Sequence, residues 1–403
     1  SHNNAFGYNA LGANTTGKYN TAMGGNCLDS NTTADNNTAV GYNALTANTT
    51  GTQNVAVGSY ALDANTTAND NTAVGHNALT ANTTGANNTA VGGGALASNT
   101  TASSNVALGR YAAGSTTTGD RNTALGYATL YNNTVGDRNV AIGHRSLYTM
   151  NPASNADTMN VGVGYAALEA TTTGVNNTGV GGFVMQANTT GTDNTAIGEQ
   201  ALVSNTTGDN NTAVGANALD NNTTADNNTA IGFSALDANT TGTRNIAIGA
   251  YALDAATTQS DNTAIGYSAC GAANGAGQLA AVGGYALSDV TTGNRNTALG
   301  YYAGKTITTG DDNIAIGAHS LDTNTTGGYN IAIGSHALGK SNGGQNVAIG
   351  YYALEENTTA SYNTAVGSES LTNNTTGHSN TAIGFQALYT NTTTSWNTAV
   401  GYK

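Results

Sequence analysis

The stretch Asn37-Thr38-Ala39-Val40-Gly41-Tyr42-Asn43-Ala44-Leu45-Thr46-Ala47-Asn48-Thr49-Thr50-Gly51-Thr52-Gln53 decides the fold, because Asn54 begins it again. With the glycine of Asn-Thr-Ala-Val-Gly as anchor, the copies fall at 7, 24, 41 and onward to 401. That makes 24 anchors, 17 residues apart except for 21 before Gly164 and 16 before Gly350. The residue before each anchor is apolar in every copy, and the one before that is Ala, except at Gly162 and Gly179. Asn stands four before the anchor in 23 of the 24 copies, and Leu four after it in 19 of 23. The two residues just after the anchor vary freely.

A fixed period of this kind signals a repeat architecture in which each unit buries its apolar face against its neighbours. Helix is excluded by the density of Gly, Asn, Thr and Val. β-branched residues punctuated by Gly and Asn suit short strands and tight turns. The sequence therefore predicts an all-β protein, a parallel β-solenoid of about 24 coils of 17 residues, running as one continuous repeat from 1 to 403. Each coil is expected to hold two strands of about five residues. Stacked coils about 4.8 Å apart would make a rod about 115 Å long. The four extra residues before Gly164, in the stretch 144–160 that contains Pro152, predict a bulging loop.

Stacking sets equivalent residues over one another. Asn37, Asn54, Asn71 and Asn88 should then form an internal ladder of the kind amides build in in-register stacks. Val40 and Leu45, with their counterparts, are expected to face the interior, and Tyr42 and Asn43 to face out. Two neighbouring pairs are restricted to apolar residues, Ala39 with Val40 and Ala44 with Leu45. Adjacent strand residues point to opposite faces, so burial of both argues for packing against other chains.

Composition narrows the function. The chain has 403 residues, only 8% of them charged, and a formal net charge of −13. Ten scattered basic residues are a poor match to nucleic-acid phosphates. No apolar run reaches the 18 residues of a membrane helix. Cys27 and Cys270 stand 243 positions apart, at places where the repeat has Ala or Leu, and read as core substitutions. No nucleophile–base pair or phosphate loop recurs, so no enzyme activity and no cofactor are expected.

The remaining candidates lie at variable positions. Tyr42, Tyr60, Tyr251, Tyr267, Tyr301 and Tyr351 are candidate exposed contact residues, since Tyr buries area at low entropic cost. Asp220, Asp237 and Asp254, in consecutive coils, form an acidic stripe that a calcium ion would bridge, against the plainer reading of a solvated turn edge. His319 and His336 fall in adjacent coils and offer an incomplete metal pair. Asn48-Thr49-Thr50 is also a glycosylation acceptor, or simply turn chemistry with a Thr ladder.

Asn37-Thr38-Ala39-Val40-Gly41 and Asn245-Ile246-Ala247-Ile248-Gly249 resemble the head repeats of YadA-like trimeric autotransporter adhesins and related phage tail-fibre-like surface fibres. The resemblance covers nearly the whole chain through its repeat. It departs in the longer period, in the added Asn-Thr-Thr-Gly segment, and in lacking stalk heptads and a membrane anchor. It implies a left-handed β-roll, a homotrimer, an extracellular, cell-surface or virion location, and binding of matrix, glycan or another surface. Two other readings stay open: an ice-binding solenoid using Thr and Asn arrays such as Thr49 and Thr50, and a filament assembled end to end.

Overall fold

The computed structural model describes residues 2–403 as β-strands and turns with no helix among them. It divides into two compact units, Ser1–Thr207 and Gly208–Lys403. Within each unit the chain winds as a parallel β-solenoid of the expected period. Thr38–Val40 pairs in parallel with Thr21–Met23 on one side and Val55–Val57 on the other, in register. In the second unit Thr229–Ile231, Ile246–Ile248 and Thr263–Ile265 repeat the pattern.

Each full coil contributes one three-residue strand, where two of about five were expected. The rest of the coil is turn. Three residues per coil take left-handed backbone angles: Asn36, Asn43 and Leu45 in the Gly41 coil, with φ of 61°, 56° and 54°. Such residues interrupt an extended chain. The leucine is unusual in that conformation, and its complete burial offsets the strain. Gly304 takes the leucine's place with φ 57°, and the buried Ile307 lies close beside it.

The anchor glycine is required twice over. Gly41 has φ 136°, and a Cβ there would lie 2.6 Å from the carbonyl oxygen of Gly58 in the next coil. Around the turn, backbone hydrogen bonds join coil to coil: Thr38 to Asn54, Leu45 to Ala61, Ala47 to Asp63 and Thr49 to Thr66, with N to O distances of 2.8–3.0 Å.

One of the residues expected in the core lies outside it. Ala39, Ala44 and Leu45 are fully buried, but Val40 is half-exposed and points outward. Strand alternation allows only one of Ala39 and Val40 to face in, and the narrow coil takes the smaller residue. The strand face outside is thus Thr38 beside Val40, repeated coil after coil.

Two asparagine columns complete the interior. In the first, the Oδ1 of Asn37 accepts the backbone N–H of Asn54 at 2.9 Å and its side-chain amide at 3.2 Å. Asn37 itself donates to the carbonyl of Gly51 at 2.8 Å. Asn71 and Asn88 continue the ladder. The second column was not anticipated. Asn48 is fully buried, donating to Asn31 at 3.1 Å and to Gly51 at 2.9 Å. The signal was present in the sequence: seven after the anchor, Asn exchanges with Met150, Ala256, Ala273, Val290 and Ile307, all fully buried. Two of the five inward side chains in a coil such as Asn37–Gln53 are therefore amides, and each needs a partner.

Candidate binding surfaces

Four surface features emerge from this frame. The first is the outward strand face. Val57, Leu108 and Ile197 in the first unit, and Ile231, Leu299 and Ile383 in the second, are all exposed, Leu299 by 49%. The position two before them carries Thr in most coils but Val106, Ile246 and Ile314 in others, each of which is exposed as well. In each unit this makes a parallel-sheet face with two outward side chains per coil, one always apolar. Contiguous exposed apolar surface of this kind marks an interaction site.

The second is the aromatic corner just after the anchor. Tyr42, Tyr251, Tyr267, Tyr301 and Tyr351 are exposed and Tyr60 is half-buried. The fold brings them into files. Tyr42 meets Tyr60 edge-on at 5.6 Å, and Tyr251 meets Tyr267 at 5.9 Å. Tyr301 and Tyr351 pack edge-on against their neighbours Tyr302 and Tyr352. A stacked column in the second unit runs Tyr285, Tyr302, His319, His336 and Tyr352, with centroids 4.8–5.3 Å apart. The imidazoles are thus column members. His319 Nδ1 lies 2.8 Å from Asp322 Oδ2, and no group of three or more potential metal ligands occurs among the described residues.

The acidic stripe is the third feature. Asp220, Asp237 and Asp254 are half-buried, and each carboxyl pKa is raised, mainly by desolvation. The neighbouring Asp237 adds to the shift at Asp220 and Asp254. Asn221 donates to Asp237, which opposes it there. The stripe is a turn edge whose charges are uncomfortable, not a closed ligand cage.

The fourth is the Asn-Thr-Thr segment. Asn48 is sealed inside the coil, so its amide offers no attachment point in the folded chain. The hydroxyl of Thr49 donates to the carbonyl of Thr66 at 3.1 Å, and only Thr50 is free to face solvent. The paired hydroxyl array expected of Thr49 and Thr50 is therefore reduced to a single file.

The length changes are also located. The four extra residues leave Asn151 and 153–155 exposed, while Pro152 is buried. They return through Ala156–Asp157, which pairs in parallel with Gly136–Asp137. Arg138 and Asp157 form an ion pair across this small sheet. The register beyond is unbroken, with Val140 opposite Val161. Cys27 and Cys270 are free and buried, and burial pushes both thiols up in pKa.

No model of a known family matches the sequence, and no curated protein matches it.

Proposed function

We propose that the protein is a segment of an extracellular surface fibre, assembled as a homotrimer and adhesive through its variable corner. The observation that carries this is the outward file of Val, Ile and Leu residues before the anchor. An outward Ile or Leu in half of the coils, with Val in most of the others, is unfavourable in a lone solenoid, since each buried side chain of this size is worth about 1.5–3 kcal/mol. Burying the file against identical files of other copies removes that cost and leaves the aromatic corner outside. The resemblance of the repeat to YadA-like heads supports three as the number of copies and a cell-surface or virion setting. Structural amides and buried glycines supply stiffness; tyrosines in files supply many weak contacts that add through multivalency.

Light scattering on the folded protein tests the assembly. A mass near three times 40.1 kDa is expected. A mass of one chain at micromolar concentration, with intact β structure, would refute it.

The ice-binding reading retains one observation, the outward Thr column that includes Thr38, Thr72 and Thr89. That column is broken by Val55, Val106, Val140 and Val161. A freezing-hysteresis measurement separates the two readings.

A further inference from the structure

The basic residues are not evenly spread. Four of the six arginines, Arg110, Arg121, Arg138 and Arg145, fall within 36 consecutive residues of a chain whose net charge is −13. Two of them, Arg110 and Arg145, sit just after their anchors, on the aromatic corner of the first unit. Three hollows follow one another along that corner. The first, about 400 Å³, is walled by His76, Thr80, Arg110 and Tyr111. The second, about 260 Å³, lies between Tyr111, Tyr127, Tyr131, Tyr148 and Arg145 over Ala128. The third, about 590 Å³, is bounded by Arg145, Thr149, Glu169, Gln186 and Ser204. Tyr111 is a wall of the first and second, and Arg145 of the second and third. The hollows are thus one groove that follows the stacking direction.

The tyrosines at 131 and 148 occupy a place, five after the anchor, that in most coils holds a smaller residue. Their rings stack at 5.6 Å and 9°, and Tyr111 meets Tyr127 and Tyr131 edge-on. The middle of the groove therefore runs between two aromatic files. Both arginines are held over rings, the guanidinium carbon of Arg110 4.7 Å from the Tyr111 centroid and that of Arg145 4.4 Å from Tyr148. Arg110 also donates to the Tyr111 hydroxyl at 3.1 Å and pairs with no carboxylate among the described residues. Arg145 forms an ion pair with Glu169, its Nε 2.8 Å from Oε1 without hydrogen-bond geometry, while Gln186 donates to the other oxygen of Glu169 at 2.8 Å. That leaves the two terminal nitrogens of Arg145 for a ligand.

We propose that this groove binds a linear acidic polysaccharide, with Arg110 and Arg145 taking carboxylates or sulfates two coils apart. At about 4.8 Å per coil the two cations stand roughly 10 Å apart along the groove. That spacing suits one negative group on every second sugar and is too sparse for a phosphate backbone. Tyrosine rings and hydroxyls in alternation match the apolar faces and hydroxyl rims of pyranoses. An acidic peptide fits less well. The groove floor offers no free strand edge, because Gly94, Ala128 and Arg145 N–H groups already bond to the carbonyls of His76, Arg110 and Tyr127. The inference deepens the adhesive reading and rests on it for the premise that this corner meets a ligand.

Calorimetric titration of the full chain with hyaluronan oligosaccharides of defined length, which carry a uronate carboxylate on every second sugar, tests it, alongside a neutral cello-oligosaccharide and a poly-glutamate peptide. Binding of the uronate alone is expected, weakening with added salt. Arg110→Gln and Arg145→Gln should each weaken it about tenfold, the worth of one charge-assisted hydrogen bond. Tyr127→Ser, which removes a ring and no charge, should weaken it while thermal unfolding stays unchanged. Equal binding by both arginine variants, or peptide binding as tight as the uronate, overturns the proposal. So does absence of uronate binding while the fibre still adheres to immobilised cells, an outcome that leaves the adhesive reading intact. Failure of adherence to any surface would instead remove that reading.

Discussion

The side-chain oxygen of Asn37 accepts the backbone N–H of Asn54 one coil further on, at 2.9 Å. A side chain thereby completes a rung that the backbone would otherwise leave open. In the second column Asn48 only accepts from, and donates to, other side chains and the Gly51 carbonyl. The two columns should respond differently to the same change. Asn37→Val strands a buried backbone N–H and should cost about 3 kcal/mol, at the upper end for a lost buried partner. Asn48→Val should cost less than half as much, because Val290 and Ile307 fill that column elsewhere. Denaturant unfolding of the two variants decides; equal costs would show that the columns are equivalent.

The anchor glycines give a sharper contrast. Gly41→Ala sets a Cβ against the Gly58 carbonyl in a backbone region that alanine avoids, and should destabilise by about 3 kcal/mol or more. Gly182→Ala, one position after an anchor, meets nothing within 4 Å. It should stay within about 0.5 kcal/mol of the parent. A thermal melt of each distinguishes them.

Inner and outer apolar positions test folding and the proposed assembly separately. Leu236 is fully buried and Phe233 is 46% exposed. Leu236→Asp buries an unpaired carboxylate and should cost several kcal/mol, on the order of 4, whereas Phe233→Asp should leave the melt nearly unchanged. Ile231→Asp with Ile248→Asp is expected to lower the solution mass while the far-ultraviolet spectrum is retained. Loss of β structure in that double variant would place the outward file in the fold rather than in the interface.

Acid should favour the stripe formed by Asp220, Asp237 and Asp254. Their carboxyl pKa values are raised in the fold above the unfolded value of about 3.9. Between the unfolded and folded values the native state holds more protons than the unfolded one. Stability from these groups therefore falls as pH rises through that window, and is greatest below it. The triple change to Asn should flatten this acid-side gain and raise the melting temperature at pH 7. A pH series of melting temperatures, variant against parent, reads the effect; identical curves would count against it.

Much of this was legible in the sequence. The period, the first Asn column, and the Ala and Leu of the core follow from which positions refuse substitution. Val40 misled because its restriction looks the same whether an interior or an outer surface imposes it; strand alternation was the available corrective, since Ala39 beside it had the better claim to a narrow interior. The second Asn column hid inside what reads as a turn motif. The groove could not be read at all, because Tyr111, Tyr131 and Arg145 become neighbours only when separate coils are stacked.

The two irregular coils have a consequence for how such a chain changes over time. The four added residues lie between Met150 and Asn160, and the one missing residue lies between Ser341 and Asn346. Both intervals join the second inner column to the first, the same corner in each case. Register survives both, with Val140 opposite Val161 and Ile331 opposite Val347. That corner is an expansion joint. Segments inserted there leave the stacking phase of the coils that follow in the same unit untouched, so new loops can be displayed on the solenoid, by evolution or by grafting, without renegotiating the fold.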